Sequence, residues 1–323
     1  MIEVGVTCGG VWWPTEAFQA IEELGFDTIW TGEHIVFHRP ILDATPLLAA
    51  VAAVTKRVRI GPAAILVPLR NPTILAKELA TIDIISGGRL TVVAGVGGDY
   101  PKEFEACEVP MTERGRRTTE SIEIMRRYWS GEHFSYEGKV HTLDDVWMDP
   151  TPVQPGGPPI WLAGRTDAAL RRAARIGDGF MPYMYTPERC REAFEQIEAN
   201  AEKHGGLREG FVRSCFAYVS LDDDPAKARE LAIRDLSWRY GKDFEPWIDK
   251  YCVHGNAETC AARLQEFAAI GVQHLALGMI HAESVALDTS PSLGASASTL
   301  DAIERFGRQL LPALRTEAAG SAR

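Results

Sequence analysis

Short β-rich runs alternate with amphipathic helical segments along almost the whole chain, and nothing else in the sequence narrows the possible folds so far. The runs are Ile2 to Thr7, Thr28 to Thr31, Val58 to Val67, Leu90 to Val96, Pro159 to Ala163, Gly179 to Met181, Phe211 to Val219 and Gln273 to Gly278. Most lack polar alternation, as parallel strands do when helices cover their outer face. The segments between them carry helix punctuation. Thr15 can cap a helix burying Ala17, Ile21 and Leu24 that Gly25 closes. Asn71-Pro72 and Thr186-Pro187 each set a capping side chain before an N1 proline, Gly87-Gly88 ends the first of these helices, and Asn256 can cap a third.

Eight strands with intervening helices fit a closed (β/α)8 barrel, a TIM barrel, with right-handed crossovers. A doubly wound open sheet is the alternative. No internal repeat is visible, and residues 1–323 are read as a single domain. Two stretches interrupt the alternation, 132–157 and 234–254, and are read as insertions after strands that shape the barrel mouth.

Charge and cysteine usage exclude several classes. A net charge of −10 disfavours nucleic acid and anionic membranes as partners, because phosphate recognition needs a clustered positive field. No apolar run approaches bilayer-spanning length, and the N-terminus lacks the pattern of a signal peptide. The six cysteines form no CxxC pair and no zinc spacing, so free thiols and a cytoplasmic location are expected.

Groups just beyond a barrel strand's C-terminal end face the catalytic mouth. After the second strand come Trp30-Thr31-Gly32-Glu33-His34, with His38 four residues on. His34 is a candidate proton carrier near neutral pH, and Glu33 either orients it or faces the barrel interior. The alternative is a packed loop histidine with a structural glutamate. No further acidic or histidine cluster recurs at later strand ends, so no metal is expected. On the third strand, Ala63 and Ala64 would let a flat ring approach the backbone, or simply pack tightly. On the fourth, Gly97 and Gly98 allow backbone N–H groups to face an anion or ring oxygen, though Gly95-x-Gly97 lacks the full dinucleotide fingerprint. Gly164, Arg165 and Thr166 precede a helix, where backbone amides, a hydroxyl and a guanidinium make a phosphate cradle; Thr166 as an ordinary cap is the alternative. Arg114, Arg116 and Arg117 read as a solvated helix start, with contact to an anionic tail as the alternative. Trp12, Trp13, Tyr100 and Tyr183 are candidate lining for an apolar substrate pocket.

In order along the chain, GFDTIWTGEH, TKRVRIGPAAILVPLRNPTILAKELATIDIISGGRL, the GVGG turn, RGRRTTESIEIMRRYW and PTPVQPGGPPIWLAGRTDAALRRAARIGDGF resemble the bacterial luciferase-like superfamily. That superfamily contains flavin-dependent monooxygenases, deazaflavin (coenzyme F-420) oxidoreductases and non-catalytic flavin-binding barrels. The resemblance implies that His34 lies beside the cofactor ring as proton carrier. It also implies a non-prolyl cis peptide between Ala63 and Ala64 against the ring, Gly97 and Gly98 at the cofactor, and Gly164, Arg165 and Thr166 as its phosphate turn. It further implies a homodimer. Light-emitting members carry a cysteine and then an arginine where this chain has Gly95 and Val96, so bioluminescence is not expected and part of the FMN-phosphate contact is missing. RGRRTTE and PPIWLAGRT lean toward the F-420 branch. The implied activity is hydride transfer between F-420 and a small organic substrate. The alternative is an FMN-dependent monooxygenase served by a separate flavin reductase.

Overall fold

A computed structural model describes residues 2–8, 13–38, 40–281 and 297–316. Eleven strands are present among them: β1 (Glu3–Thr7), β2 (Thr28–Thr31), β3 (Arg59–Leu66), β4 (Val92–Gly95), β5 (Phe134–Glu137), β6 (Thr142–Val146), β7 (Ile160–Leu162), β8 (Gly179–Phe180), β9 (Val212–Leu221), β10 (Cys252–Gly255) and β11 (His274–Ile280). Eight of them pair in parallel in the order β9-β11-β1-β2-β3-β4-β7-β8, and β8 pairs back onto β9. The sheet is therefore a closed (β/α)8 barrel rather than an open doubly wound sheet. Strands β2, β4, β7 and β11 are buried at every position, which explains why they lack polar alternation.

The first eight helices are α1 (Thr15–Glu23), α2 (Ala44–Val54), α3 (Pro72–Ser86), α4 (Pro101–Ala106), α5 (Arg114–Trp129), α6 (Asp167–Ile176), α7 (Pro187–Ala201) and α8 (Pro225–Tyr240). Their ends follow the side-chain chemistry. Asn71 accepts from the Thr73 and Ile74 amides, Thr186 accepts from Arg189, and Gly87 closes α3 at φ 67°. Thr15 departs from the expected capping role: it is the first residue of α1, and Pro14 before it supplies no side-chain bond.

The stretch 132–157 holds the antiparallel β5–β6 hairpin, whose loop amides at Lys139, Val140 and His141 all donate to the Glu120 carboxylate of α5. The stretch 234–254 is not a simple insertion. Its start is the last turns of α8, and its end enters β10, which extends the sheet beside the C-terminal half of β9. Residues 218–221 of β9 lie beyond the reach of the two-residue β8, so β10 takes the ladder groups that β8 leaves.

Inside the barrel, Trp30, Val93, Trp161, Met181 and Ala276 pack together. The Trp30 indole N–H donates to His274 Nε2 at 3.1 Å, so His274 carries its proton on Nδ1, 3.2 Å from the Glu3 carboxylate. Burial pushes the His274 imidazole below its ordinary range. Gly61 makes room for this filling: a Cβ there would lie 1.9 Å from the Thr91 carbonyl oxygen and 2.7 Å from the Trp30 ring.

Candidate active site at the barrel mouth

The C-terminal ends of the strands surround a cavity of about 1070 Å3, at the upper end of the roughly 300–1,000 Å3 of small-molecule sites, which suits a cofactor together with a substrate.

His34 lines this cavity from the loop after β2, its ring stacked on Phe37 at 3.8 Å. Its Nδ1 lies 3.1 Å from Oε2 of Glu103. The other oxygen of Glu103 accepts from the Ile35 amide at 2.6 Å, and Glu103 itself is 1% exposed in the first turn of α4. A buried carboxylate accepts only, so the imidazole carries its proton on Nδ1 and presents Nε2, which has no partner among the described residues, as a base.

Glu33 meets different groups. One oxygen accepts from the Leu66 amide at 2.6 Å and the other pairs with Arg70, which also donates to Asp43 at 2.7 Å. Burial pushes the Glu33 carboxyl up, against the pull of Arg70 and the Leu66 amide. Glu33 thus ties the loop after β2 to the end of β3, and the orienting contact to His34 belongs to Glu103. Sequence reasoning missed Glu103 because a glutamate early in a short helix carries no signal of its own. Among the described residues, no group of three or more His, Cys, Asp or Glu is placed to hold a metal.

The peptide between Ala63 and Ala64 is cis, and the β3–β4 register shifts between Ala63 and Ile65. Both alanines line the cavity, and a Cβ on Gly95 would lie 3.0 Å from that of Ala64. Small side chains on two neighbouring strands make a low, apolar wall.

Further round the mouth stands the turn before α6. Thr166 caps that helix, its Oγ1 accepting from Ala169, and it also lines the cavity with Gly164 and Arg165. A Cβ on Gly164 would fall 2.5 Å from that of Ala169, so the turn can press against its own helix only as glycine. Arg165 lies 4.7 Å over the Tyr183 ring, and the Tyr183 hydroxyl donates to Asp99 at 2.6 Å. Burial, then the Asp99 carboxylate, pushes that hydroxyl well up. Gly97 (φ 63°) and Gly98 (φ 115°) bend the chain after β4.

Two more arginines reach this end. Arg172 of α6 is held by Thr119 Oγ1 and the Gly115 carbonyl, both at 3.0 Å. Arg114 is held by the Met111 carbonyl at 2.9 Å. Of the basic run on α5, Arg114 alone lines the cavity; Arg116 is exposed and Arg117 pairs with Glu113. Trp13, Tyr100 and Tyr183 also line it, while Trp12 lies outside the described residues. Three guanidinium groups, a hydroxyl and a helix N-terminus beside a low apolar wall fit a planar ring with an anionic tail.

Residues 15–274 match the family model of the luciferase-like monooxygenases. Curated relatives include an F-420-dependent glucose-6-phosphate dehydrogenase of Amycolatopsis mediterranei, 32% identical over 65% of this chain and 65% of the relative. A dimethylsulfone monooxygenase of Pseudomonas putida that depends on reduced FMN is 27% identical over 88% of this chain and 78% of its own. An uncharacterised protein of Mycobacterium tuberculosis is 33% identical over 52% of this chain, and the match spans 57% of that relative. Among solved structures, an F-420-dependent secondary alcohol dehydrogenase superposes with a TM-score of 0.81 at 21% identity, covering 97% of this chain and 99% of that one, a likeness of fold. The match to the family model spans most of the chain, and the barrel is the fold its relatives share: the chain belongs to the luciferase-like monooxygenase family.

Proposed function

We propose that this protein is an oxidoreductase that binds a flavin-type cofactor in the barrel mouth, and that the cofactor is coenzyme F-420. The observation that carries the reading is an imidazole hydrogen-bonded to the buried Glu103 and facing the same cavity as a low alanine–glycine wall and Arg114, Arg165 and Arg172. Bound there, the cofactor would supply a hydride acceptor or donor. The chain's own residues do the rest. Ala63, Ala64 and Gly95 give a ring a flat apolar support. Gly164, Arg165 and Thr166, with Arg114 and Arg172, hold the anionic tail. Gly97 and Gly98 turn backbone toward the cofactor, and His34 Nε2 takes or returns the proton that accompanies hydride transfer to a small organic substrate. Glu33 and Glu103 are positioning residues.

Preference for F-420 rests on the spread of arginines over α5, the α6 turn and α6 itself, which suits a long polyanionic tail better than one phosphate, and on Gly95 and Val96, which offer no side-chain donor after β4. The FMN monooxygenase reading, with a separate reductase, is favoured by the longer match to the dimethylsulfone enzyme.

Titration with F-420 and with FMN, followed by oxygen uptake, separates the two. Tight F-420 binding without substrate-coupled oxygen consumption is expected; tight FMN binding with such consumption overturns the preference. His34→Ala is expected to abolish turnover with cofactor affinity intact. Full turnover in that variant removes the proton role, and no turnover by the wild-type chain with either cofactor leaves a binding barrel.

A further inference from the structure

The side of the mouth read above as the anionic-tail site contains a group of the wrong sign. Glu33, Glu103 and Asp99 are the carboxylates that line the cavity among the described residues. Glu33 and Glu103 are buried and bonded to other groups of the chain, whereas Asp99 stands exposed at the end of the Gly97-Gly98 turn. Its Oδ1 lies 3.7 Å from Arg165 Nη2, and its Oδ2 takes the Tyr183 hydroxyl at 2.6 Å. The same Tyr183 ring lies under the Arg165 guanidinium at 4.7 Å. Tyrosine, arginine and aspartate thus form one closed set beside the turn before α6.

The set is held from both ends. Gly97 and Gly98 take left-handed φ values, and a Cβ on Gly98 would lie 3.3 Å from Arg114 Nε, so the turn runs directly along α5. The Tyr183 hydroxyl, pushed well up by burial and then by Asp99, keeps its proton and goes on donating it. Charge along this side of the mouth is therefore uneven. Arg165 has a carboxylate partner. Arg114 and Arg172 are held by carbonyls and by Thr119, with no carboxylate in ion-pair reach among the described residues. At the turn before α6 the Arg165–Asp99 pair sums to zero, and the amides of the helix start supply the attraction. A phosphate monoester carries nearly two negative charges at neutral pH, a phosphodiester one. One charge suits helix amides and a guanidinium fork. A second charge at that turn is opposed by Asp99.

We infer that Asp99 is a specificity-determining residue of the tail site: it admits a phosphodiester, as in F-420, at the turn before α6 and discriminates against the phosphate monoester of FMN. This rests on the cofactor reading above and assigns its selectivity to one side chain. The further anionic groups of an F-420 tail would meet Arg114 and Arg172, which nothing neutralises. A carboxylate that only positioned Arg165 would instead favour both phosphates alike.

The test measures dissociation constants of F-420, FMN and riboflavin by fluorescence titration of the full chain at low ionic strength. It compares wild type, D99N and D167N. Asparagine at position 99 keeps an acceptor for the Tyr183 hydroxyl and removes only the charge. Asp167, exposed at the start of α6 and not lining the cavity, controls for net charge. D99N is expected to tighten FMN about fourfold and F-420 about twofold at most, because the repulsion scales with the charge at the turn. Riboflavin, which has no phosphate, should be unchanged, and D167N should leave the FMN-to-F-420 ratio as it is. The D99N gain should shrink at high salt. Equal gains for the two cofactors, weaker binding of both, or no change overturns the assignment. If the wild-type protein binds neither cofactor, the cofactor reading falls, and methyl phosphate and dimethyl phosphate followed by ligand-observed NMR still test Asp99. D99N must then tighten the monoester more than the diester; equal shifts, or no binding of either, overturn the assignment.

Discussion

Replacing Glu103 by glutamine changes one oxygen to a nitrogen against the candidate proton carrier, and the geometry says what must follow. In the wild-type protein both carboxylate oxygens accept, one from His34 Nδ1 at 3.1 Å and one from the Ile35 amide at 2.6 Å. Glutamine can accept at one site only. If its oxygen stays with Ile35, its NH2 group faces Nδ1, which must then accept, and the imidazole proton moves to Nε2. The opposite flip sets NH2 against the Ile35 N–H, costing about 1–3 kcal/mol for a buried donor left unmade. A hydrogen bond to a charged group is worth about 1 kcal/mol or more above a neutral one, so the wild-type tautomer loses roughly fivefold or more of its advantage. The expected result is a majority Nε2–H tautomer in E103Q, read from imidazole 15N shifts of labelled protein. Proton-coupled turnover should fall about tenfold or more, with cofactor affinity within twofold. An E103Q protein that keeps Nδ1–H and full turnover would refute the claim that this carboxylate sets the base.

Three other outcomes follow from the same structure. Arg165→Ala should weaken F-420 or FMN binding about tenfold to a hundredfold, the worth of a charge-assisted contact to an anion, measured by fluorescence titration; an unchanged Kd would remove Arg165 from the phosphate site. Gly61→Ala puts a Cβ 1.9 Å from a carbonyl oxygen inside the barrel, so it should cost several kcal/mol in urea unfolding or prevent folding, and a wild-type midpoint would contradict the packing described. Glu3 is held down to about 2 by its hydrogen bond from His274 and by Arg59, against the opposing effect of burial. Its folded value is depressed, so its stabilising contribution is complete above the ordinary value of 4.5 and disappears as pH falls from there toward 2. Glu3 is nearly half exposed, so solvent screening reduces that contribution to about 1 kcal/mol. E3Q should flatten the acid limb of the stability profile by that amount.

The barrel was legible because buried parallel strands write themselves as short apolar runs between capped helices. All eight predicted strands exist within a few residues. Helix α2 and strand β10 were not foreseen: Ala44 to Val54 is apolar almost throughout and shows no stripe, and Cys252 to Gly255 is too short to stand out from its surroundings. Thr15 fell one position inside its helix because proline before it already sets the turn.

The amino-acid order by itself determined which side chains stand on or just beyond each strand's C-terminal half, and so delivered His34, Ala63, Ala64, Gly97, Gly98, Gly164, Arg165 and Thr166 to one cavity. Only the closed tertiary structure decided their partners. Glu103 reaches His34 across 69 residues, Arg172 and Arg114 converge from two helices, and Tyr218 meets Tyr240 from a strand and a helix end. Position along a strand is a local property that periodicity reports. Hydrogen-bond pairing between distant segments depends on how the barrel closes, and no local pattern encodes that.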